Sequence, residues 1–270
     1  MKFIRILFFI LACGLLAVIS YSGYQLWDIH QNHVQEAEIH SRLMQFRPEA
    51  QGTSLAPHRP ESTPVGADES ASDDAPVPRV NQSIVDLQTA HPGAVGWLTV
   101  PNTQIDYPFA QGENNATYLH LDLDGRWSAA GTLFMDFRNS RDFSDFNTIL
   151  FGHHMRNGSM FGTLQSFNNQ AFFEENRTGT IFLADKTYAI DFFAFAVIEP
   201  DDGIIYDSMI QADGDKAAFL AHVNRAARYY RDVDVTPDDR IVTLSTCNYE
   251  FDDARMVLIG KLTEISVDSD

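Results

Sequence analysis

The sequence predicts a mainly β fold, a closed or nearly closed barrel with helical insertions, preceded by a transmembrane helix and a flexible linker. Three observations predict it. Short runs rich in β-branched and aromatic residues recur from residue 94 to residue 262, each bounded by Gly, Pro, Asn or Asp. Helical patterns are few and fall between those runs. The chain opens on an apolar stretch of about 20 residues, and a Pro-, Ser- and acid-rich stretch follows before the first β run. With 270 residues, there is room for one well-buried domain and its appendages.

The elements follow in order. Lys2 and Arg5 precede "ILFFILACGLLAVISYSGYQLW", which ends in Tyr24 and Trp27 as an interfacial aromatic belt would. A cleavable signal sequence is the competing reading. Bulky Tyr21, Tyr24, Leu26 and Trp27 stand where a small-residue cleavage site belongs, so residues 1–27 read as an uncleaved anchor. With the basic end inside, the rest of the chain lies outside the cell membrane.

Residues 28–80 form a membrane-proximal segment and linker. Asp28 to Met44 can continue the anchor as a short helix; His30, His33 and His40 there lack a completing Cys or carboxylate pattern for a metal. Glu49 to Val80 has too little apolar surface to fold and reads as a disordered spacer.

The folded domain spans residues 81–267. A short helix stopped by Pro92-Gly93 leads into "AVGWLTV" and "QIDYPFAQ", joined by a Pro101-Asn102-Thr103 turn. "GTLFMDF", "NTILFGHH", "GTIFLAD" and "TYAIDFFAFAVIEP" continue the β pattern. "DKAAFLAHVNRAARYYRDV" reads as one amphipathic helix, with Phe219, Leu220, Val223, Ala227 and Tyr230 on one face. "RIVTLSTC" and "RMVLIGKL" are the last strands. A net charge of −18 argues against a nucleic-acid partner, which needs clustered Lys and Arg.

Cysteine usage raises a chemical question. Cys13 lies within the apolar anchor, so it cannot meet Cys247 in a disulfide. The compartment of an exported protein tends to oxidise a leftover thiol, so Cys247 is either buried and inert or kept for its chemistry. Along its strand Ile241, Thr243, Ser245 and Cys247 alternate with Val242, Leu244 and Thr246. Asn248 to Ala254 form a loop, with Asp252 and Asp253 expected in solvent. An antiparallel hairpin sets Arg255 across from Cys247.

A nucleophilic thiol needs a proton acceptor, most often histidine. His91, His120, His153, His154 and His222 all precede Cys247, which excludes the papain order. His91 sits in a turn and His222 on a helix at the surface. His153 and His154 follow Gly152 at a strand end, where a barrel displays side chains for chemistry. Two ordinary loop histidines are the other reading.

"TLSTC" with "YEF" and "AR", together with "ILFGHHMRNGSMFG", "VGWLTVPNTQIDYPFAQGENNATYL" and "GTLFMDFRN", resembles the sortases, most closely class B. The long helix before the last strands also favours class B over class A. The resemblance runs from about Ser83 to Leu262. It implies an eight-stranded barrel and a cell-surface cysteine transpeptidase, with Cys247 as nucleophile, Arg255 as oxyanion and substrate guanidinium, and His153 as general acid/base, His154 being the alternative. It points to Asn115, Leu119, Ser245 and Tyr206 as substrate contacts. Its implied partners are surface proteins with a C-terminal sorting signal and an amine of peptidoglycan or a pilin. The sequence holds no acidic cluster to assign to calcium, and no cofactor or metal is expected. A membrane-tethered adhesion or scaffolding domain without catalysis is the alternative function.

Overall fold

The structure, a computed structural model, describes residues 2–49, 80–247 and 254–265. Most of the expected linker and the stretch 248–253, with Asp252 and Asp253, lie outside the described residues.

Helix α1 (Lys2–Leu43) runs unbroken for 42 residues. Its apolar half is exposed all round and is long and apolar enough to cross a membrane, a candidate span by length and composition. Its second half docks on the barrel. His40 lays its ring on Tyr107 with centroids 4.7 Å apart, Gln35 donates to the Trp127 carbonyl at 3.0 Å, and buried Glu36 accepts from Asn157 at 3.2 Å. Burial at this contact pushes the Tyr107 phenol up to about 12. Helix α2 (Gln82–Ala90) buries Ile84 and Leu87 against Trp97 and Phe182.

The strands are β1 (Ala94–Thr99), β2 (Asp106–Ala110), β3 (Leu133–Met135), β4 (Asn147–His153), β5 (Thr178–Phe182), β6 (Thr187–Ile198), β7 (Tyr229–Tyr230), β8 (Arg240–Cys247) and β9 (Arg255–Glu264). They are ordered β5-β1-β2-β3-β4-β8-β9-β6-β7, and β6 pairs back onto β5. Eight strands therefore close a barrel. Two-residue β7 hangs outside the ring on β6. Pairings β2–β3 and β4–β8 are parallel and the others antiparallel.

Alternation decides what each strand buries. Leu150, Val242, Leu244 and Leu258 point into the barrel core with Phe109 and Phe192. Ile241, Val257 and Ile259 point outward and are covered by Phe219 and Val223 of α4 (Asp213–Ala226). Short α3 (Gln170–Glu175), N-capped by the Asn169 side chain, completes the helices.

One element departs from its expected length. The predicted helix over 215–233 stops at Ala226, and Ala227 is already extended. The Tyr229-Tyr230 pair joins β6 as an edge strand, with Arg228 N–H on the Phe195 carbonyl at 2.8 Å and Arg231 N–H on that of Phe193 at 2.7 Å. Ring contacts of Tyr229 with Phe195 and Tyr230 with Phe193 hold it there. Aromatic burial and ladder hydrogen bonds outweigh the helical propensity of the alanines and arginines.

Candidate active site

Strands β4 and β8 run parallel and in register, with Gly152 beside Thr246 and His153 beside Cys247. β9 flanks β8 on its other side, antiparallel, with Ser245 opposite Val257. Carried two residues toward the loop, that register sets Arg255 across from Cys247. Positions 153, 247 and 255 thus form a row over three neighbouring strands at one barrel rim.

The glycine before the histidine makes this possible. Gly152 faces the interior, where a Cβ would lie 2.4 Å from Leu133 Cδ2 and 2.8 Å from Phe161 Cδ2. Only a residue without a side chain lets the strand end close on the core.

The two adjacent histidines part company here. His153 takes the position in the row; its Nε2 is 2.7 Å from the Leu119 carbonyl, and its ring stacks on His120 at 5.3 Å. A carbonyl only accepts, so Nε2 carries the hydrogen in this contact. His154 turns to the other side, where its backbone bridges to Met160 and its Nε2 lies 3.1 Å from Gln165 Oε1.

On the outer face beside the row lies a cleft of about 460 Å³, lined among others by Asn115, Asp136, Arg138, Tyr206, Ser245 and Arg255. The Tyr206 and Ser245 hydroxyls are 2.9 Å apart, and the Tyr206 ring stacks on Phe151. Arg255 Nη1 makes a long 3.5 Å contact to the Thr246 carbonyl. Asp136 is fully buried at the floor and accepts two hydrogen bonds from the Arg138 guanidinium, both 2.8 Å, and one from Asn115 at 3.0 Å. Burial alone would raise the Asp136 carboxyl; the hydrogen bonds from Arg138 and Asn115 together outweigh it and hold it below the usual carboxylate range. Arg138 also donates to the Tyr206 carbonyl at 3.1 Å, tying the floor to the loop that follows β6.

Three of the four expected substrate contacts, Asn115, Tyr206 and Ser245, line this cleft. Leu119 is not among its lining residues and reaches the site through its carbonyl on His153. His222, expected at the surface, is half-buried with Nε2 2.8 Å from Asp202 Oδ2, and the same carboxylate accepts from the Ile204 and Ile205 amides. Sequence reasoning missed Asp136 and Arg138. Their only signal was an acid and an arginine two residues apart after a strand. Among the described residues no group of three or more His, Cys, Asp or Glu is placed to hold a metal ion.

Comparison with known proteins bears on this geometry. The family model described as the Sortase domain matches residues 98–263. Sortase B of Listeria monocytogenes is 36% identical over 186 residues, 68% of this chain and 75% of the relative. Sortase B of Staphylococcus aureus is 33% identical over 183 residues, 67% of this chain and 74% of the relative. The solved Staphylococcus aureus sortase B–substrate complex superposes with a TM-score of 0.66 at 32% identity, covering 69% of this chain and 87% of that one.

Proposed function

The chain belongs to the sortase family of cell-wall-anchoring transpeptidases, and from that premise we propose that Cys247, His153 and Arg255 carry its reaction on a threonine-containing C-terminal sorting motif. The observation that supports this most is the row of the three positions across β4, β8 and β9. The Cys247 thiolate attacks the threonine carbonyl carbon. The oxyanion is held by Arg255, a fixed five-donor cation that cannot itself act as a base near neutral pH. The carbon–nitrogen bond then breaks, and protonated His153 gives its Nδ1 proton to the departing amine. A thioester on Cys247 remains.

In the second half an amine of peptidoglycan, or of a pilin, attacks that thioester. His153 accepts the amine's proton, the carbon–sulfur bond breaks, and the thiolate is regenerated. Asn115, Tyr206 and Ser245 contact the sorting motif along the outer cleft, with Leu119 beside His153. The apolar half of α1 holds the enzyme in the membrane, its N-terminus cytoplasmic and its barrel outside. A free thiol with a pKa near 8.5 is only a few per cent ionised at pH 7, so slow acylation is expected.

Mass spectrometry tests the assignment. Full-length protein incubated with an NPQTN- or LPXTG-like peptide should gain the acyl mass of the fragment ending in threonine, and Cys247→Ala should neither gain it nor cleave the peptide. Cleavage by Cys247→Ala at the wild-type rate would sink the assignment.

A further inference from the structure

His153 holds the place in the row, and a second histidine, His120, lies on its ring. The two imidazoles are 5.3 Å apart between centroids and 29° from parallel. The backbone around His120 builds that contact. The chain from Tyr118 to Leu121 is laced to residues 127–132 by Ser128 N–H on the His120 carbonyl at 3.0 Å, by Thr132 N–H on that of Tyr118 at 3.0 Å, and by the Leu121–Trp127 bridge. At Gly131, whose φ is +60°, a side chain would strike the Leu119 carbonyl that meets His153. Two consecutive residues therefore hold one imidazole, Leu119 at its edge and His120 on its face.

We infer that His120 is a positioning residue for the reaction proposed above: its ring fixes the tilt of His153, and its charge, when protonated, weakens the hold of His153 on a proton. The inference rests on that reading and deepens it. A hydrogen bond at one ring nitrogen leaves an imidazole free to swing about that contact, and a second ring laid on the face removes the freedom. Any flat ring can do that much. The second role needs an imidazole. His120 is exposed and trades protons with solvent, and two unit charges about 5 Å apart repel enough, even in water, to separate their titrations by about half a pH unit. The rings then titrate as a pair, the second proton being harder to add than the first. A histidine that gives up a proton in one half-reaction and takes one in the next is served by a neighbour that resists full charging.

The other ionisable groups near the two rings do not replace this coupling. Cys247 and Arg255 flank His153 in the row on β8 and β9, and His154 is turned away to Gln165. On the loop that carries His120, Asp122 accepts from the Asp124 and Arg126 amides, and Asp124 pairs with Arg42, Arg126 and His91.

Two substitutions separate packing from charge. His120→Phe keeps a flat ring without the charge, and His120→Ala removes both. In the full-length enzyme with a sorting-motif peptide, His120→Ala should lower kcat by about three- to tenfold with KM little changed, and His120→Phe should restore most of the loss. The charge is read in full-length Cys247→Ala, where the thiol no longer couples to His153. There the His153 ring-proton signal, followed by NMR, should titrate with a midpoint about half a pH unit higher, and over a narrower range, once His120→Phe is added. If kcat in His120→Ala and the His153 midpoint both stay where they began, His120 is a bystander and the catalytic reading stands. If the wild type forms no acyl-enzyme, the catalytic reading falls and takes the role of His120 with it.

Discussion

On β8, Val242 and Leu244 point into the barrel beside Leu150 and Leu258. One residue along in each case, Thr243 and Ser245 point out, the first to Asn147 Oδ1 at 2.8 Å and the second to the Tyr206 hydroxyl at 2.9 Å. The inner face needs only apolar volume, and many side chains supply that. The outer face needs particular atoms at particular registers, since a row of three positions exists only while β4, β8 and β9 keep their pairing. At this strand end the inner face therefore serves the packing, and the outer face, beyond the part covered by α4, carries the polar contacts of the cleft.

Substitutions on either face should separate these roles. The largest effect belongs to the outer face: Arg255→Ala should lower kcat/KM by about 10²- to 10³-fold, the cost of losing an oxyanion donor, with a melting temperature close to wild type by calorimetry. Leu244→Ala is the inverse. It should cost about 2–5 kcal/mol in urea unfolding, while the folded fraction keeps its acylation rate at low temperature. Gly152→Ala touches both faces at once, because its Cβ would strike Leu133 and Phe161 inside and displace His153 outside. A loss of about 1–3 kcal/mol together with reduced activity is expected; a stable and fully active variant would show that the strand end has slack.

The smallest effect is acid sensitivity. The folded Asp136 carboxyl is held below its unfolded value, so its stabilisation is complete above about pH 4 and is lost as pH falls through the folded value. Asp136→Asn should therefore show a shallower fall in stability than wild type in acid titrations followed by circular dichroism.

Much of this was legible in the sequence, for reasons that also mark where legibility stops. Strands β1 to β6, β8 and β9 announce themselves by β-branched and aromatic runs bounded by turn residues, and Cys247 and Arg255 by their spacing across one hairpin. Alternation also limited the histidine to one of two neighbours. Choosing between His153 and His154 from residues alone required knowing that β4 lies parallel to β8, a pairing across almost a hundred residues that no local pattern encodes. The Asp136–Arg138 floor was unreadable because its partners, Asn115 and the Tyr206 carbonyl, arrive from distant loops. The overextended last helix failed at Ala227 since nothing in "RAARYYR" reveals that β6 has an open side there.

Helix α1 carries a last consequence. It is about 63 Å long at 1.5 Å per residue, without a break between its exposed apolar half and the half seated on Tyr107, Trp127 and Asn157. Whatever grips the first half therefore grips the barrel as well. The helix is a handle and not a leash: it holds its exposed apolar half at a set distance and bearing from the barrel.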